Sequence, residues 1–106
     1  MNDAVSENIE KLREYRLFAA KIERLNEMGL MFPKERKHFL EKAQKCRQSM
    51  KNIERAIAKV DDGLLSEILF QKYVLGRNFD AVSLAVNYSK RQTERLHLAA
   101  LKKLKI

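Results

Sequence analysis

The chain of 106 residues has few of the residues that interrupt helices or cross-link a fold: one Pro, three Gly, one Cys and no Trp. This scarcity of helix breakers, with abundant Leu, Lys, Glu and Ala, predicts an all-α protein. A single cysteine, Cys46, excludes an intramolecular disulfide. The sequence also lacks a signal peptide and a long apolar run, so we expect a soluble, cytoplasmic protein without membrane contact.

Positive charge exceeds negative charge and is unevenly spread. The formal net charge is +8 and the isoelectric point is about 9.8. Basic residues outnumber acidic ones by six in residues 33–60 and by three in residues 61–106, whereas residues 1–32 are nearly balanced. An excess of this size favours a polyanionic partner, although it carries no information about the fold.

Two long helices are predicted in the first segment of the chain. The first runs from about Ala4 to Met28, and Gly29 with Pro33 marks its end. In the second, from about Pro33 to Val60, apolar residues alternate spacings of four and three, as in a coiled-coil seam. This seam comprises Phe39, Ala43, Cys46, Met50, Ile53, Ile57 and Val60. The two helices can pair as a hairpin or with a second chain. Because their stripes are narrow, we expect residues 1–60 to be a self-associating hairpin.

Residues 61–106 are predicted to form a three-helix domain. Either Asp61 or Asp62 can cap a helix that runs from Leu64 to Leu75 and presents a wide apolar arc. Gly76 is expected to end this helix. Three helices of this size provide a small core, which is ordinary for such a domain.

The stretch from Asn78 to Leu104 has the pattern of two helices joined by a tight polar turn. Their apolar stripes comprise Phe79, Val82 and Val86 in the first helix, and Leu96, Ala99, Ala100 and Leu104 in the second. Asn78 can cap the first helix, and Asn87 can end it because Asn tolerates a left-handed backbone. Ser89 and Gln92 form a capping box at the start of the second. This is the pattern of a helix-turn-helix.

The start of the last predicted helix carries long polar side chains, which makes it a candidate DNA-binding surface. Cations at a helix N-terminus oppose the macrodipole, at a cost of roughly 0.3–1 kcal/mol each. A bound anion therefore explains Lys90 and Arg91 better than a merely solvated helix end. In a DNA-binding helix-turn-helix, this end enters the major groove. The candidate DNA-binding residues are Ser89, Lys90, Arg91, Gln92, Glu94, Arg95, Lys102 and Lys103.

The chemistry of four of these side chains suits the reading of bases. Arg91 and Arg95 lie one helical turn apart on one face, which suits guanine edges or phosphates. Gln92 can read adenine unless the capping box occupies it. Glu94 can accept a hydrogen bond from cytosine or orient an arginine. These assignments stay open at the level of sequence.

Two further basic surfaces can be explained either by a binding role or by ordinary helix chemistry. Lys102 and Lys103 near the C-terminus either contact phosphates or simply stabilise the helix dipole. The basic face of the second predicted helix is expected to be solvated, with DNA flanks or an acidic partner such as RNA polymerase as alternatives. Charge alone does not distinguish these uses.

The segment from Ile53 to Ile106 resembles region four of bacterial sigma factors. The runs Gln71-Lys72-Tyr73-Val74-Leu75-Gly76 and Phe79-Asp80-Ala81-Val82-Ser83 carry the likeness. Among sigma-like proteins it is more similar to the small phage-encoded late-gene regulators of the ArpU type, on the run from Tyr88 to Leu101. Ser83 stands where the motif usually has Ala, and Thr93 where it has Val or Ile; both are small enough to pack.

The resemblance implies a sequence-specific transcriptional regulator, phage or prophage encoded, that binds double-stranded DNA at late-gene promoters. Self-association, with a dimer favoured, would set the spacing of its half-sites. Two alternatives stay open. One is a phage small terminase subunit, which also couples a helix-turn-helix to helical oligomerisation segments but assembles as a ring. The other is a regulator whose sigma-like half binds RNA polymerase rather than DNA.

The sequence shows no arrangement typical of an enzyme, a metal site or a cofactor site. His38 and His97 lack partners at metal-ligand spacing, and Cys46 falls on the apolar seam. Asp61 and Asp62 are adjacent and therefore point in different directions on a helix. We expect no catalytic residues, no metal, no cofactor and no small-molecule substrate.

Overall fold

The computed structural model describes residues 3–106, and this part of the chain is all-α, as predicted, with no strand. The helices are α1 (Asp3–Met31), α2 (Arg36–Ala58), α3 (Gly63–Leu69), α4 (Phe79–Val86) and α5 (Lys90–Lys103). A 3-10 turn (Pro33–Glu35) precedes α2, and a π-helical turn (Phe70–Val74) continues α3.

The junction between α1 and α2 lies later in the chain than predicted. α1 continues through Gly29 to Met31, so the prediction that Gly29 ends this helix was wrong. Gly29 is buried instead, and a Cβ atom there would lie 3.4 Å from Cγ of Arg36. That distance is an ordinary van der Waals contact, so this position neither stops the helix nor requires a glycine. Pro33 begins the 3-10 turn, and α2 ends at Ala58 rather than Val60.

The apolar seam of α2 packs against α1 of the same chain. Near the junction, Leu25 of α1 forms a small core with Phe39 and Ala43 of α2. At the other end of α2, Ile53 and Ile57 join a larger core with Leu12. The two helices therefore run in opposite directions, and one chain is enough to bury the seam. Self-association remains a prediction. The seam of α2 no longer supports it, because this seam already has a partner in α1.

The larger core is shared by the segments before and after residue 60. Its buried members are Val5, Leu12, Tyr15, Ile53, Ala56, Ile57, Val60, Leu65, Leu69, Tyr73, Ala100, Leu101 and Leu104. Burial of each large aliphatic side chain contributes roughly 1.5–3 kcal/mol, so this core dominates the cohesion of the fold. It fixes α3 and α5 directly against α1 and α2.

Polar side chains of α1 satisfy carbonyl groups at the ends of two later elements. Nδ2 of Asn8 donates to the carbonyls of Leu101 (2.9 Å) and Leu104 (3.2 Å) at the C-terminal end of α5. Nη1 of Arg16 donates to the carbonyl of Val74 (3.3 Å), where the π-helical turn ends. Terminal carbonyls otherwise lack partners within a helix. These contacts hold α5 and the end of the π-helical turn against α1.

Candidate nucleic-acid interface

The turns that frame α4 and α5 follow from local side-chain chemistry. Oδ1 of Asn78 accepts a hydrogen bond from the Ala81 amide at 2.9 Å, and Oγ of Ser89 accepts one from the Gln92 amide at 3.1 Å. Asn87 has φ 61° and ψ 44°, the left-handed conformation that ends α4. The predicted caps and stop are confirmed. Oδ1 of Asp62 caps α3 in the same way.

Only one half of the predicted capping box forms. The Ser89 hydroxyl accepts from the Gln92 amide, but the Gln92 side chain is exposed and has no hydrogen-bond partner within residues 3–106. Its amide group is therefore available to a ligand at the start of α5. The sequence left open whether the Gln92 side chain completes the capping box or contacts a base. In the structure it does not complete the box.

The two positions that depart from the sigma-like motif are buried, and their hydroxyls are satisfied locally. Thr93 is fully buried and donates to the Ser89 carbonyl at 2.8 Å. Ser83 donates to the Asp80 carbonyl at 2.8 Å. A hydroxyl bonded to the preceding turn carries no unpaired donor into the core. Both residues therefore pack where the motif has apolar ones.

His97 joins three elements of the candidate interface. Its Nε2 lies 2.7 Å from the Tyr73 hydroxyl, with which it shares a hydrogen bond, and Phe79 meets its ring edge-on at 5.0 Å. Burial, with a smaller contribution from Lys72, lowers the pKa of His97 to about 4. Burial also raises the pKa of Tyr73. Both groups are therefore neutral near pH 7, and His97 positions α5 against α4 and the π-helical turn.

One exposed face of α5 carries a line of side chains that we call the α5 stripe: Arg91, Arg95, Leu98 and Lys102. Their spacing of four, three and four residues places them on one side of the helix, opposite the buried Thr93. From first to last the stripe rises roughly 16 Å along the axis, at about 1.5 Å per residue. It is long enough to follow the width of a DNA major groove.

Leu98 is the member of the α5 stripe that the sequence analysis missed. Its side chain is 42% exposed, although Leu in an amphipathic helix is usually assigned to the core. The signal was present in its spacing, three residues after Arg95 and seven after Arg91. That spacing predicts the exposed face rather than the buried one.

The charges at the start of α5 differ in how they are compensated. Nζ of Lys90 lies 3.4 Å from Oδ1 of Asp80, so a carboxylate of the same chain partly compensates its charge. Lys90 therefore needs a bound anion less than the sequence indicates. Arg91 and Arg95 have no ion-pair or hydrogen-bond partner in the described part of the chain, and both are exposed. Of the three cations at the start of α5, these are the two without a partner in that part of the chain.

Lys103 lies in a different environment from the start of α5. Its Nζ is 3.4 Å from Oδ1 of Asp61, beyond the C-terminal end of α2. Lys59, Lys102 and Lys105 line the same shallow depression around that carboxylate. Lys102 therefore belongs to the α5 stripe and to this second cationic cluster, whereas Lys103 belongs to the cluster alone.

All eight predicted DNA-binding residues are exposed. Ser89, Gln92 and Glu94 lie with the two arginines in the first turns of α5. No group of three or more metal-ligating side chains occurs within residues 3–106. None of the helices in this range combines the length and the hydrophobicity of a membrane span.

Comparison with known proteins adds no relative. No family model matches the chain, and no curated protein and no solved structure matches it.

Proposed function

We propose that the chain is a sequence-specific DNA-binding transcriptional regulator, in which residues 78–104 act as a helix-turn-helix. The observation that carries the proposal is the unpaired, exposed pair Arg91 and Arg95 on a helix whose opposite face is locked into the core. α4 and α5 are joined by the short Asn87–Ser89 turn, and α3 packs behind them. A rigid helix with an uncompensated cationic face fits the major groove.

In this mechanism, Arg91, Arg95 and Leu98 of the α5 stripe read the bases together with Gln92 and Glu94. The guanidinium groups of Arg91 and Arg95 donate paired hydrogen bonds to guanine edges, and the Gln92 amide bonds adenine. Glu94 accepts from the cytosine amino group. Leu98 contacts the methyl group of thymine, because an exposed apolar side chain in the groove suits no other base substituent as well.

Phosphate contacts orient the domain on the duplex. Lys90 exchanges its ion pair with Asp80 for a phosphate, and Lys103 does the same with Asp61. Lys102 approaches the backbone at the end of the stripe. Surface ion pairs of this kind contribute at most about 1 kcal/mol, so a phosphate displaces them easily. Release of counterions from the DNA then makes the affinity fall steeply with salt.

The resemblance to sigma region four and to ArpU-type regulators supports the biological setting of the proposal. On that resemblance we propose a phage or prophage protein that acts at late-gene promoters. RNA polymerase is a further partner in that setting. Assembly as a dimer would match a palindromic operator with half-sites about one helical turn apart.

Selection of bound fragments from a random DNA library tests the function directly. We expect the full chain to enrich one motif, and its affinity for that motif to fall linearly on a logarithmic scale with salt concentration. Enrichment of no motif, with weak binding that does not respond to salt, would overturn the proposal. Light scattering on the free chain and the complex separates the alternatives: a ring of eight or more chains would favour a small terminase subunit.

A further inference from the structure

Four large apolar side chains are exposed where the chain passes from α1 to α2. They are Leu30 (75% exposed), Met31 (69%), Phe32 (48%) and Leu40 (41%), and we call them the corner patch. Leu40 also lines a shallow depression together with Pro33 and Arg36. Clustered apolar side chains at a protruding corner are costly in water and commonly mark a binding surface.

The corner patch lies far from α5. The small core beneath it, around Leu25, Phe39 and Ala43, is formed by α1 and α2 alone. Phe18 is the α1 residue farthest along the chain that packs against the larger core. From Phe18 to Met31, α1 rises about 20 Å, so the corner projects beyond α3, α4 and α5. The patch therefore serves neither the larger core nor the α5 stripe.

The surroundings of the corner patch are positively charged. Residues 30–45 contain five basic side chains and two acidic ones. On α2, exposed Arg36 and Leu40 are one turn apart, and Gln44, Arg47 and Lys51 continue the same exposed face. The corner patch therefore adjoins an exposed face of α2 that carries several basic side chains.

We propose that the corner patch and this face of α2 form a docking surface for an acidic, amphipathic protein segment. Apolar side chains of the segment cover Met31, Phe32 and Leu40, while its carboxylates pair with Arg36 and Lys37. Apolar contacts at the centre with charge pairs at the rim are the usual anatomy of a specific interface. An amphipathic helix can supply both along one side.

Charge complementarity selects this occupant over the others. A second copy of the chain would bring the same excess of positive charge to the corner, which opposes self-docking. DNA phosphates would satisfy Arg36 and Lys37 but gain nothing from exposed Leu30, Met31 and Phe32. Among protein and nucleic-acid partners, one with both carboxylates and apolar side chains matches both features. The inference does not depend on the proposed DNA-binding function.

Selection from a displayed library of random peptides on the full chain tests the proposal. We expect the enriched peptides to carry net negative charge and at least two large apolar residues. Synthetic copies should bind Leu30→Ser/Met31→Ser and Arg36→Glu/Lys37→Glu chains about tenfold more weakly, measured by fluorescence anisotropy. Binding should also weaken with salt. Leu17→Ser, which replaces an exposed leucine of α1 away from the corner, should bind as the unaltered chain does.

Several outcomes would overturn the proposal. Absence of peptides that depend on the corner patch, or enrichment of neutral or basic peptides, would remove the acidic partner. Dissociation of a dimer by Leu30→Ser/Met31→Ser in sedimentation would assign the patch to a second copy. Sedimentation of the unaltered chain, but not the variant, with phosphatidylglycerol vesicles would assign it to a lipid surface. Circular dichroism of each variant checks that the helices are intact.

Discussion

The Tyr73 hydroxyl lies 2.7 Å from Nε2 of His97, and this hydrogen bond joins the π-helical turn to the middle of α5. Phe79 of α4 packs edge-on against the same imidazole. Three elements of the candidate interface therefore meet at one side chain, adjacent in sequence to Leu98. The orientation of the α5 stripe depends on a histidine that stays neutral.

Folding stability should depend on the protonation of His97. Its pKa in the folded chain is about 4, below the ordinary value of 6.5. Between pH 4 and pH 6.5, His97 is therefore protonated in the unfolded chain but neutral in the folded chain. Stability should therefore be complete above pH 6.5 and decline as the pH falls towards 4. Allowing for partial solvent exposure of the ring, we expect a loss of about 2 kcal/mol, measured by urea unfolding across this range.

Matched histidine variants isolate this effect. His97→Gln should be less stable at neutral pH but should show a flatter decline towards acid. His38→Gln, at an exposed position of α2, should retain the slope of the unaltered chain. An unchanged slope in His97→Gln would show that another group controls the acid response.

Replacing both arginines of the α5 stripe should weaken specific DNA binding selectively. Arg91→Ala with Arg95→Ala should cost roughly 2–6 kcal/mol of binding free energy, from about 1–3 kcal/mol for each base-reading side chain. Arg24→Ala with Arg47→Ala removes the same charge from exposed positions of α1 and α2 and should cost much less. Electrophoretic mobility shifts at fixed salt measure both. Equal losses in the two double variants would mean that only net charge matters.

Leu98 should contribute discrimination for thymine. If its side chain contacts a thymine methyl group, replacing that thymine by deoxyuridine should weaken binding about fourfold, the equivalent of about 0.8 kcal/mol for one buried methyl group. Leu98→Ala should bind the two DNAs equally. Scanning each thymine of the selected motif locates the contact. A methyl effect that survives in Leu98→Ala would assign it to a different side chain.

Gly76 should resist substitution although it lies at the surface. Its φ of 69° is left-handed, and a Cβ atom there would lie 3.2 Å from Cζ of Arg16. Gly76→Ala should destabilise the fold by about 1–2 kcal/mol from backbone strain alone, measured by urea unfolding. Gly63 is the control, because it has no neighbouring atom within 4 Å of such a Cβ and no positive φ. Gly63→Ala should be neutral or slightly stabilising.

Ile53 should be essential to the larger core. Ile53→Lys places a cation in the buried core that holds Leu12, Ile57 and Tyr73, and should destabilise the fold by several kcal/mol, on the order of 3–5. Gln44→Lys, at an exposed position of the same helix, should have little effect. Thermal melting followed by circular dichroism compares the two. Similar melting of both variants would mean that this part of α2 is not packed as described.

Features that depend on a few neighbouring residues could be predicted from the chain alone. Asn78 and Ser89 cap helices through side-chain oxygens that reach amides three residues ahead, and Asp62, one of two candidates for the cap of α3, does so for amides two and three residues ahead. Asn87 and Gly76 adopt the left-handed backbone at the ends of helical segments. Such contacts form within one turn, so spacing and residue type predict most of them; the return bond of the Gln92 side chain, predicted on the same grounds, does not form.

The periodicity of the seam in α2 established that this face is buried, but it carried no information about its partner; the tertiary structure supplies α1. Gly29 likewise looked like a helix stop, but it is buried beside Arg36 and Phe39 of α2, and α1 continues through it to Met31. The low pKa of His97 was also decided by packing. Each of these properties depends on residues distant in the chain, and local pattern cannot report which distant surfaces meet.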